Sequence, residues 1–525
     1  MLTEADERKQ QDKAQPSTGK KIFRGAVIII FVSALAKLSA FLSEAVNAAY
    51  LGTTGESDAY YMIAGVQQVI YPMLSIGIWN VFLPLYKDRL SQGDGKGADS
   101  LANKMICFFT LVSLAAVLLL VAFADPLVSL VAPGFEGETR QLCVELVRIS
   151  APMYIFIIAG AIYASMLQCH DKFLGSQIRE VATHIPVILT AVLFYHRFGI
   201  RVMAIALIAG GLVRLLVELP FVTWGYRFRP DFRFRGSEFG LMLKRLPSAL
   251  VSAGIQQINA LIDRAMASTF PAGAVSGMNY GHRLTNVFSG LLSSAVATAM
   301  FPQMVELISQ KKREELNRLL TRILNIFMLL MVPVTLACML FSRDLVVAVF
   351  ERGAFQEDSV ALTSGVFTFY SLGLLFVASS TVVSNVFYGF GDTRTPMFIG
   401  IFTMAINVIL NLVLSRVMGV NGLALATSLA AMISLGIRLI FVRKFVALNW
   451  KNISLTFGKV LFASIIACGA AFALAAVLSM NVYLRLLAAA IVGVLLYALA
   501  VKMLRVREVT DVLALLRRKM RRGKA

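Results

Sequence analysis

The chain consists of long runs of apolar residues that are separated by short polar segments. A helix that crosses a bilayer needs about 20 consecutive apolar residues, and turn residues or clusters of charge end most of the runs near that length. The pattern therefore predicts about fourteen membrane-spanning helices. Their predicted bounds are 24–49, 58–86, 101–124, 141–167, 174–196, 201–225, 241–268, 276–308, 319–342, 359–390, 396–416, 420–442, 456–479 and 484–504.

The composition supports a membrane protein. Of 525 residues, 58% are hydrophobic and 15% are charged, whereas soluble proteins have about 25% charged residues. A larger core does not account for this excess, because the surface of a soluble protein must still face water. The sequence predicts an all-α polytopic membrane protein.

The net charge of +20 comes from basic residues in short runs between the apolar segments, as in Arg227 to Arg235 and Lys311 to Arg313. Such runs follow the even-numbered predicted helices, and both tails are basic. This distribution is the one that the positive-inside rule produces. It places both termini in the cytoplasm, favours contact with anionic membrane lipids and argues against a nucleic-acid partner.

The sequence also repeats itself. Gly55–Pro84 aligns with Gly273–Pro302 at an offset of 218, and "DPLVSLVAPGF" from Asp125 matches "DLVVAVFERGAF" from Asp344 in the same order. Two six-helix lobes of common ancestry are therefore expected, followed by two further helices. Repeats with a substrate site at their interface are typical of transporters. The predicted parts are a cytoplasmic tail (1–23), an N-lobe (24–225), a basic cytoplasmic linker (226–240), a C-lobe (241–442), helices 13 and 14 (443–504) and a basic cytoplasmic tail (505–525).

Several ionisable residues lie inside predicted helices, where they are costly and usually face a cavity or a partner. Lys37 and Glu44 lie on helix 1, Arg264 follows Asp263 on helix 7, and Arg283 lies on helix 8. Arginine suits bidentate contact with phosphate. Lys37, Arg264 and Arg283 are therefore candidates for a cationic cavity, and mutual pairing or snorkelling is the alternative.

Two further pairs of charges are predicted within single helices. Arg214 and Glu218 are four residues apart on helix 6, a spacing that favours an intrahelical ion pair. Arg148 is expected to pair with Glu145 on helix 4.

The sequence contains neither a catalytic constellation nor a Walker motif. We therefore predict a transporter and not an enzyme, driven by an ion gradient or by the membrane potential.

Five short segments occur in the order and at the helix ends that a known family shows. They are "SDAYY" (57–61), "APGF" (132–135), "MNYGHRL" (278–284), "FERGAF" (350–355) and "FYGFGDTRTP" (387–396). With the two lobes and the extra helix pair, they resemble the MurJ (MviN) lipid II flippases of the multidrug/oligosaccharidyl-lipid/polysaccharide exporter superfamily. The resemblance covers most of residues 24–450.

The resemblance implies a flippase that moves a polyprenyl-diphosphate-linked saccharide, with lipid II as first candidate, to the outer leaflet by alternating access. Arg283 matches the essential helix-8 arginine of the family, Lys37 its first helix-1 arginine, and Asp58 its aspartate after helix 1. The substrate-binding candidates are Arg283, Lys37, Arg264, Asp58 and Glu44.

This chain departs from the family at Ser43, Tyr71 and Pro72, where the family has arginines. The loss of cations leaves another lipid-linked polysaccharide precursor as an alternative substrate. A drug/cation antiporter of the same superfamily and a non-transporting membrane scaffold are competing hypotheses for the function.

The resemblance also implies a sodium ion as the coupling ion, with no other cofactor. The matching residues are Asp263, Asn407, Asn411, the backbone of Leu423, and Thr427. Position 411 is an aspartate in the family, so one carboxylate remains here. The competing interpretation of this set is that its polar residues simply bond between helices.

Helices 13 and 14 are similar to the family's extra pair, which forms an apolar groove for the prenyl tail. The resemblance further implies the bacterial cytoplasmic membrane as the location, and cell-wall synthesis enzymes as partners.

Overall fold

The computed structural model describes residues 31–170, 172–222, 225–234 and 236–509. Within these residues every regular element is an α-helix and no β-strand occurs. The all-α prediction is confirmed. The predicted tail 1–23, the start of the first predicted helix and most of the tail 505–525 lie outside the described residues.

The helices follow the predicted runs closely. The first eight are α1 (31–51), α2 (Gly55–Ser91), α3 (Gly95–Ala122), α4 (Ala124–Val131), α5 (Gly137–Ser150), α6 (Met153–Cys169), α7 (Phe173–Phe198) and α8 (Arg201–Val222). The next eight are α9 (Ser237–Ala267), α10 (Ala274–Ser309), α11 (Arg313–Leu340), α12 (Ser342–Phe350), α13 (Glu357–Leu372), α14 (Leu374–Gly389), α15 (Arg394–Met418) and α16 (Val420–Val442). The last two are α17 (Trp450–Val477) and α18 (Val482–Met503).

Two of the predicted helices are interrupted. The predicted helix 141–167 consists of α5 and α6, which are bent by 47°, because Pro152 lacks the N–H that would continue the helix. The predicted helix 359–390 consists of α13 and α14, which Gly373 separates. A Cβ atom at Gly373 would lie 2.8 Å from Oγ of Ser428, so glycine allows α16 to approach at this point.

The order of elements repeats along the chain. In both halves three long helices precede a short helix, α4 or α12, and an interrupted helix and two further helices follow it. The short helices have 8 and 9 residues and are not among the predicted helices, because they are too short for a span. They coincide with the second pair of matching sequence segments.

The described residues contain ten stretches of helix that are long and apolar enough to cross a membrane, with α13 and α14 counted together as one, and the pair α5 and α6 makes an eleventh if it is one span. Most of the described chain is therefore apolar helix, as a polytopic membrane protein requires. The exact number of about fourteen spans stays a prediction.

The chain divides into two compact units. The first contains the residues up to Tyr50, Met62–Val131 and Glu136–Leu261. The second contains Leu51–Tyr61, Ala132–Phe135 and the residues from Ile262 onwards. The predicted division at the linker 226–240 stays a prediction.

Each unit has its own apolar core. Large buried side chains of the first core include Phe82, Tyr86 and Met105, and those of the second include Phe327 and Phe387. Many leucine, isoleucine and phenylalanine side chains are exposed on the outer faces of the helices, as lipid-facing surfaces require.

Small residues pack α17 against its neighbours. Ala467, Ala471 and Ala475 are buried on α17, and a Cβ atom at Gly493 of α18 would lie 3.4 Å from Cβ of Ala471. Small side chains allow helices to approach closely in a membrane. The two helices α17 and α18 therefore pack closely at this point, and the apolar groove stays a prediction.

Candidate functional site

The five residues predicted as a sodium site all lie in the second unit, on three different helices. Asp263 lies near the end of α9, Asn407 and Asn411 are one turn apart on α15, and Leu423 and Thr427 are one turn apart on α16. Residues four apart share a helix face. Each pair therefore presents both members to the same place.

The structure brings all five together. Nδ2 of Asn411 donates a hydrogen bond to Oδ1 of Asp263 at 2.7 Å and lies 3.2 Å from Oδ1 of Asn407. Oγ1 of Thr427 lies 3.3 Å from Oδ2 of Asp263, 3.1 Å from the carbonyl oxygen of Leu423 and 3.4 Å from Nδ2 of Asn407. We call Asp263, Asn407, Asn411, Leu423 and Thr427 the polar ring.

The polar ring is buried, because Asp263 is 7% exposed and Asn411 is 0% exposed. Its potential ligands are oxygens of a carboxylate, two amides, a hydroxyl and a carbonyl, and hard cations prefer such ligands. Rotation of an asparagine amide exchanges its donor for its acceptor, so Asn411 can turn its oxygen towards a cation that is bound at the carboxylate of Asp263. The residues thus fit a sodium ion by type, although the same bonds also join three helices.

The candidate arginines of the second unit lie nearby in the sequence. Arg264 follows Asp263, Arg283 lies on α10, and both side chains are half-buried. The ring of His282 packs edge-on against Tyr370, with 5.5 Å between the centroids. Oη of the buried Tyr280 donates to the carbonyl oxygen of Gly52 at 3.2 Å. The "MNYGHRL" segment is therefore anchored on the N-terminal side of Arg283.

The carboxylate of Asp58, a candidate for substrate binding, contacts the beginning of α10. This carboxylate accepts hydrogen bonds at 2.7 Å from the backbone N–H of Gly273 and from both N–H and Oγ of Ser276. These groups belong to the first turn of α10 and the residue before it, where helix N–H groups lack partners. Asp58 is 2% exposed and caps this helix.

The internal repeat carries a signal for this cap. Asp58 and Ser276 are equivalent positions of the repeat, 218 residues apart. Both lie in the first turn of a long helix. The repeat therefore identifies the two residues as equivalent positions, but it does not indicate that their side chains contact each other.

Lys37 and Glu44 lie on α1 in the first unit, where Lys37 is exposed and Glu44 is buried. Ser33, one turn before Lys37, donates from Oγ to Oε1 of Gln177 on α7 at 3.2 Å. The predicted joint action of Lys37 with Arg283 stays a prediction.

The first unit contains an ionic network in which the predicted pairing is wrong. Arg214 and Glu218 do not pair with each other. Arg214 instead contacts Glu180 of α7 at 2.5 Å, and its guanidinium lies over the ring of Tyr71 at 4.0 Å. Glu218 contacts Arg179 of α7 at 3.0 Å. The neighbouring helix offers better geometry than the i, i+4 position, which spacing alone does not reveal.

The expected pair of Arg148 and Glu145 is also wrong. Glu145 forms a two-pronged ion pair with Arg201 of α8, at 2.6 and 2.9 Å. Nε of Arg148 donates to the carbonyl oxygen of Val121 at 3.3 Å.

A family model described as lipid II flippase MurJ matches residues 47–493 of the chain. The chain belongs to the lipid II flippase MurJ family. This is a family of transporters in the membrane, so the predictions of a polytopic transporter and of the family are confirmed.

Relatives and solved structures agree with the family. The probable lipid II flippase MurJ of Rickettsia prowazekii is 25% identical over 421 residues, which cover 79% of this chain and 83% of the relative. The probable lipid II flippase MurJ of Thermotoga maritima is 24% identical over 486 residues, which cover 91% and 95%.

Among solved structures, a lipid II flippase MurJ in the inward closed conformation matches with a TM-score of 0.80 and 22% identity, over 91% of this chain and 98% of that chain. An inward-facing multidrug resistance MATE family transporter matches with a TM-score of 0.67 and 15% identity, over 83% and 99%. These two likenesses show the fold.

Proposed function

We propose that the chain translocates lipid II from the cytoplasmic to the outer leaflet of the bacterial cytoplasmic membrane by alternating access. The family match over residues 47–493 carries this proposal. The basic runs place both termini in the cytoplasm. Lipid II is a precursor of peptidoglycan, so cell-wall synthesis enzymes are the proposed partners.

Arg283 and Arg264 bind the diphosphate of the substrate. A guanidinium offers two parallel N–H donors to phosphate, and the anchored segment before Arg283 reduces the entropy that binding would cost. Lys37 is a further candidate for contact with the substrate. The prenyl tail remains in an apolar environment along α17 and α18, since moving it through a polar cavity would be unfavourable.

The polar ring holds a sodium ion. The sodium gradient across the membrane supplies the energy that resets the transporter. The oxygen-rich ligand set of the polar ring supports this proposal. Sodium affects the conformational equilibrium only as far as it binds one conformation better than the other.

The similarity in fold to a MATE transporter keeps a drug/cation antiporter as the second candidate. Such a carrier needs an acidic site, for which Asp263 qualifies. Arg283 argues against it, because a cationic drug would be repelled by a guanidinium in a medium of low dielectric constant.

Complementation of a flippase-depleted strain tests the proposal. Arg283→Ala should abolish growth and Arg283→Lys should restore it in part, because the charge remains and the bidentate contact is lost. Arg318→Ala is the matched control, since Arg318 is exposed and pairs with Glu314 at 3.5 Å. Normal growth with Arg283→Ala at equal expression would contradict the proposal.

Native mass spectrometry of the purified protein distinguishes the substrates. We expect lipid II to copurify with the wild-type protein and not with Arg283→Ala. If a different polyprenyl-diphosphate saccharide copurifies, it replaces lipid II as the proposed substrate. Efflux of a cationic dye from vesicles would favour the antiporter.

A further inference from the structure

A cavity of about 350 Å³ lies in the second unit, between the start of α17 and the turn that follows α18. It lies outside the polar ring and outside the segments that the family motifs identify. Its lining residues are Asn449, Lys451, Asn452, Leu455, Thr456, Lys459, Arg505, Val506 and Arg507.

The described lining is cationic. It contains two lysines and two arginines, together with amide and hydroxyl groups, and it contains no carboxylate. The only acidic residue between positions 441 and 509 is Glu508. Glu508 is buried, accepts a hydrogen bond from Nδ2 of Asn325 on α11 at 2.5 Å and does not line the cavity.

The backbone adds to the positive potential. The first turn of α17 borders the cavity, where Oδ1 of Asn449 accepts a hydrogen bond from the N–H of Asn452 at 3.0 Å. The N-terminus of a helix carries a partial positive charge and favours bound anions such as phosphate.

The turn after α18 presents an arginine at a position that favours glycine. Arg505 has φ +49°, a left-handed conformation that residues other than glycine rarely adopt. The N–H of Val506 donates to the carbonyl oxygen of Val501 at 3.2 Å, and the side chain of Val506 is buried. These contacts fix the turn, and the arginine side chain remains exposed.

The cavity is continuous with an apolar surface. Leu455 lines it and is 58% exposed, and Met503 at the end of α18 is also exposed. The outer faces of α17 and α18 carry further exposed leucine and phenylalanine side chains. A phosphate group in the cavity can therefore be joined to acyl chains that lie along these faces, an arrangement that a free phosphate ion does not use.

We propose that the cavity between α17 and α18 binds the phosphate headgroup of an anionic phospholipid. The basic residues that line it are of the type that recognises such headgroups at the cytoplasmic ends of membrane helices. Binding ties the beginning of α17 to the end of α18, and is a function separate from translocation of the substrate.

Native mass spectrometry of the full-length protein tests this site. The protein is titrated in detergent with phosphatidylglycerol, and phosphatidylethanolamine serves as the zwitterionic control. Lys451, Lys459, Arg505 and Arg507 are replaced together by glutamine in the test variant. Lys311, Lys312, Arg318 and Arg322, all exposed, are replaced together by glutamine in the matched control.

We expect the test variant to bind phosphatidylglycerol at least about tenfold more weakly than the wild type, since each basic residue near an anionic surface contributes favourably. The control variant loses the same formal charge and should bind within about twofold of the wild type. Equal binding by the test variant would overturn the proposal. Displacement of the lipid by millimolar inorganic phosphate, or preference for a prenyl diphosphate over phosphatidylglycerol, would also overturn it.

A second variant tests the site without a risk to folding. Asn452→Asp changes one atom of the lining, and an acidic residue in the first turn of a helix is favourable. It should retain the thermal stability of the wild type and lose affinity for phosphatidylglycerol several-fold. Undiminished affinity in this variant would contradict the proposed position of the headgroup.

Discussion

The equivalent helix pairs of the two halves are built differently. In the first unit, α7 contributes Arg179 and Glu180 and α8 contributes Arg214 and Glu218, and each of these two arginines lies within 3.0 Å of the glutamate on the other helix. In the second unit, α15 and α16 carry asparagines and a threonine, which surround Asp263 of α9.

The two helix pairs differ in the groups that surround their buried carboxylates, Glu218 in the first unit and Asp263 in the second. Glu218 is 0% exposed and lies beside a guanidinium, so its charge is balanced within the protein. The carboxylate of Asp263 is bonded by the neutral groups of Asn411 and Thr427. A buried ion pair is costly to break, whereas neutral amide and hydroxyl groups can turn their oxygens towards a cation. We infer that the first pair is structural and the second is functional.

The largest expected effect comes from Asp263→Asn, which removes the carboxylate of the polar ring and preserves its shape. We expect loss of complementation, and at least about a tenfold loss of sodium affinity measured as sodium-induced thermal stabilisation. Glu145→Gln is the matched control, because it replaces a carboxylate by an amide at an exposed position. Full complementation by Asp263→Asn would contradict the inference that α15 and α16 have a functional role and α7 and α8 a structural one.

Glu218→Gln should lower the free energy of unfolding by about 3 kcal/mol, because it removes the fully buried carboxylate beside Arg179 and leaves only the more exposed Glu180, at 3.4 Å, to balance this guanidinium. Transport per folded molecule should stay unchanged. Thermal unfolding and transport are measured on the same preparation, and the double variant with Arg179→Gln should recover part of the stability. Normal stability with lost transport would assign the network a functional role.

Asn411→Asp sharpens the comparison by adding a second carboxylate to the polar ring. A second negative ligand should tighten sodium binding about tenfold, and repulsion between the carboxylates should lower stability without sodium by about 1 kcal/mol. Thermal unfolding over a series of sodium concentrations measures both. A change in stability that does not depend on sodium would indicate that the ring only joins helices.

The smallest expected effect is that of Arg201→Gln, which breaks the ion pair with Glu145. Because 60% of the Arg201 side chain is exposed, the change should cost about 1 kcal/mol or less. Thermal unfolding compared directly with Glu218→Gln separates exposed from buried ion pairs. A loss as large as that of Glu218→Gln would contradict the ranking by burial.

The long helices are predicted well from the sequence, because an apolar run of about 20 residues in a membrane can satisfy its own backbone hydrogen bonds only as a helix. The short helices α4 and α12 and the interruption at Gly373 are not predicted from the sequence. These depend on contacts with other helices, such as that between Gly373 and Ser428.

The polar ring is predicted residue by residue, since its members match a family pattern and lie one turn apart. The partners of Arg214 and Glu218 are not predicted. Spacing identifies residues that share one face of a helix, but it does not show which residues of a neighbouring helix they contact. The cap formed by Asp58 escapes prediction for the same reason. Its partner lies 218 residues away.

The most direct test of the sodium-coupled mechanism is lipid II translocation by the purified protein in proteoliposomes, with and without an imposed sodium gradient. We predict that the gradient accelerates translocation in the wild type and not in Asp263→Asn, and that Glu218→Gln responds as the wild type does. Translocation that is equally fast without sodium, or no translocation of lipid II by the wild type, would contradict the mechanism.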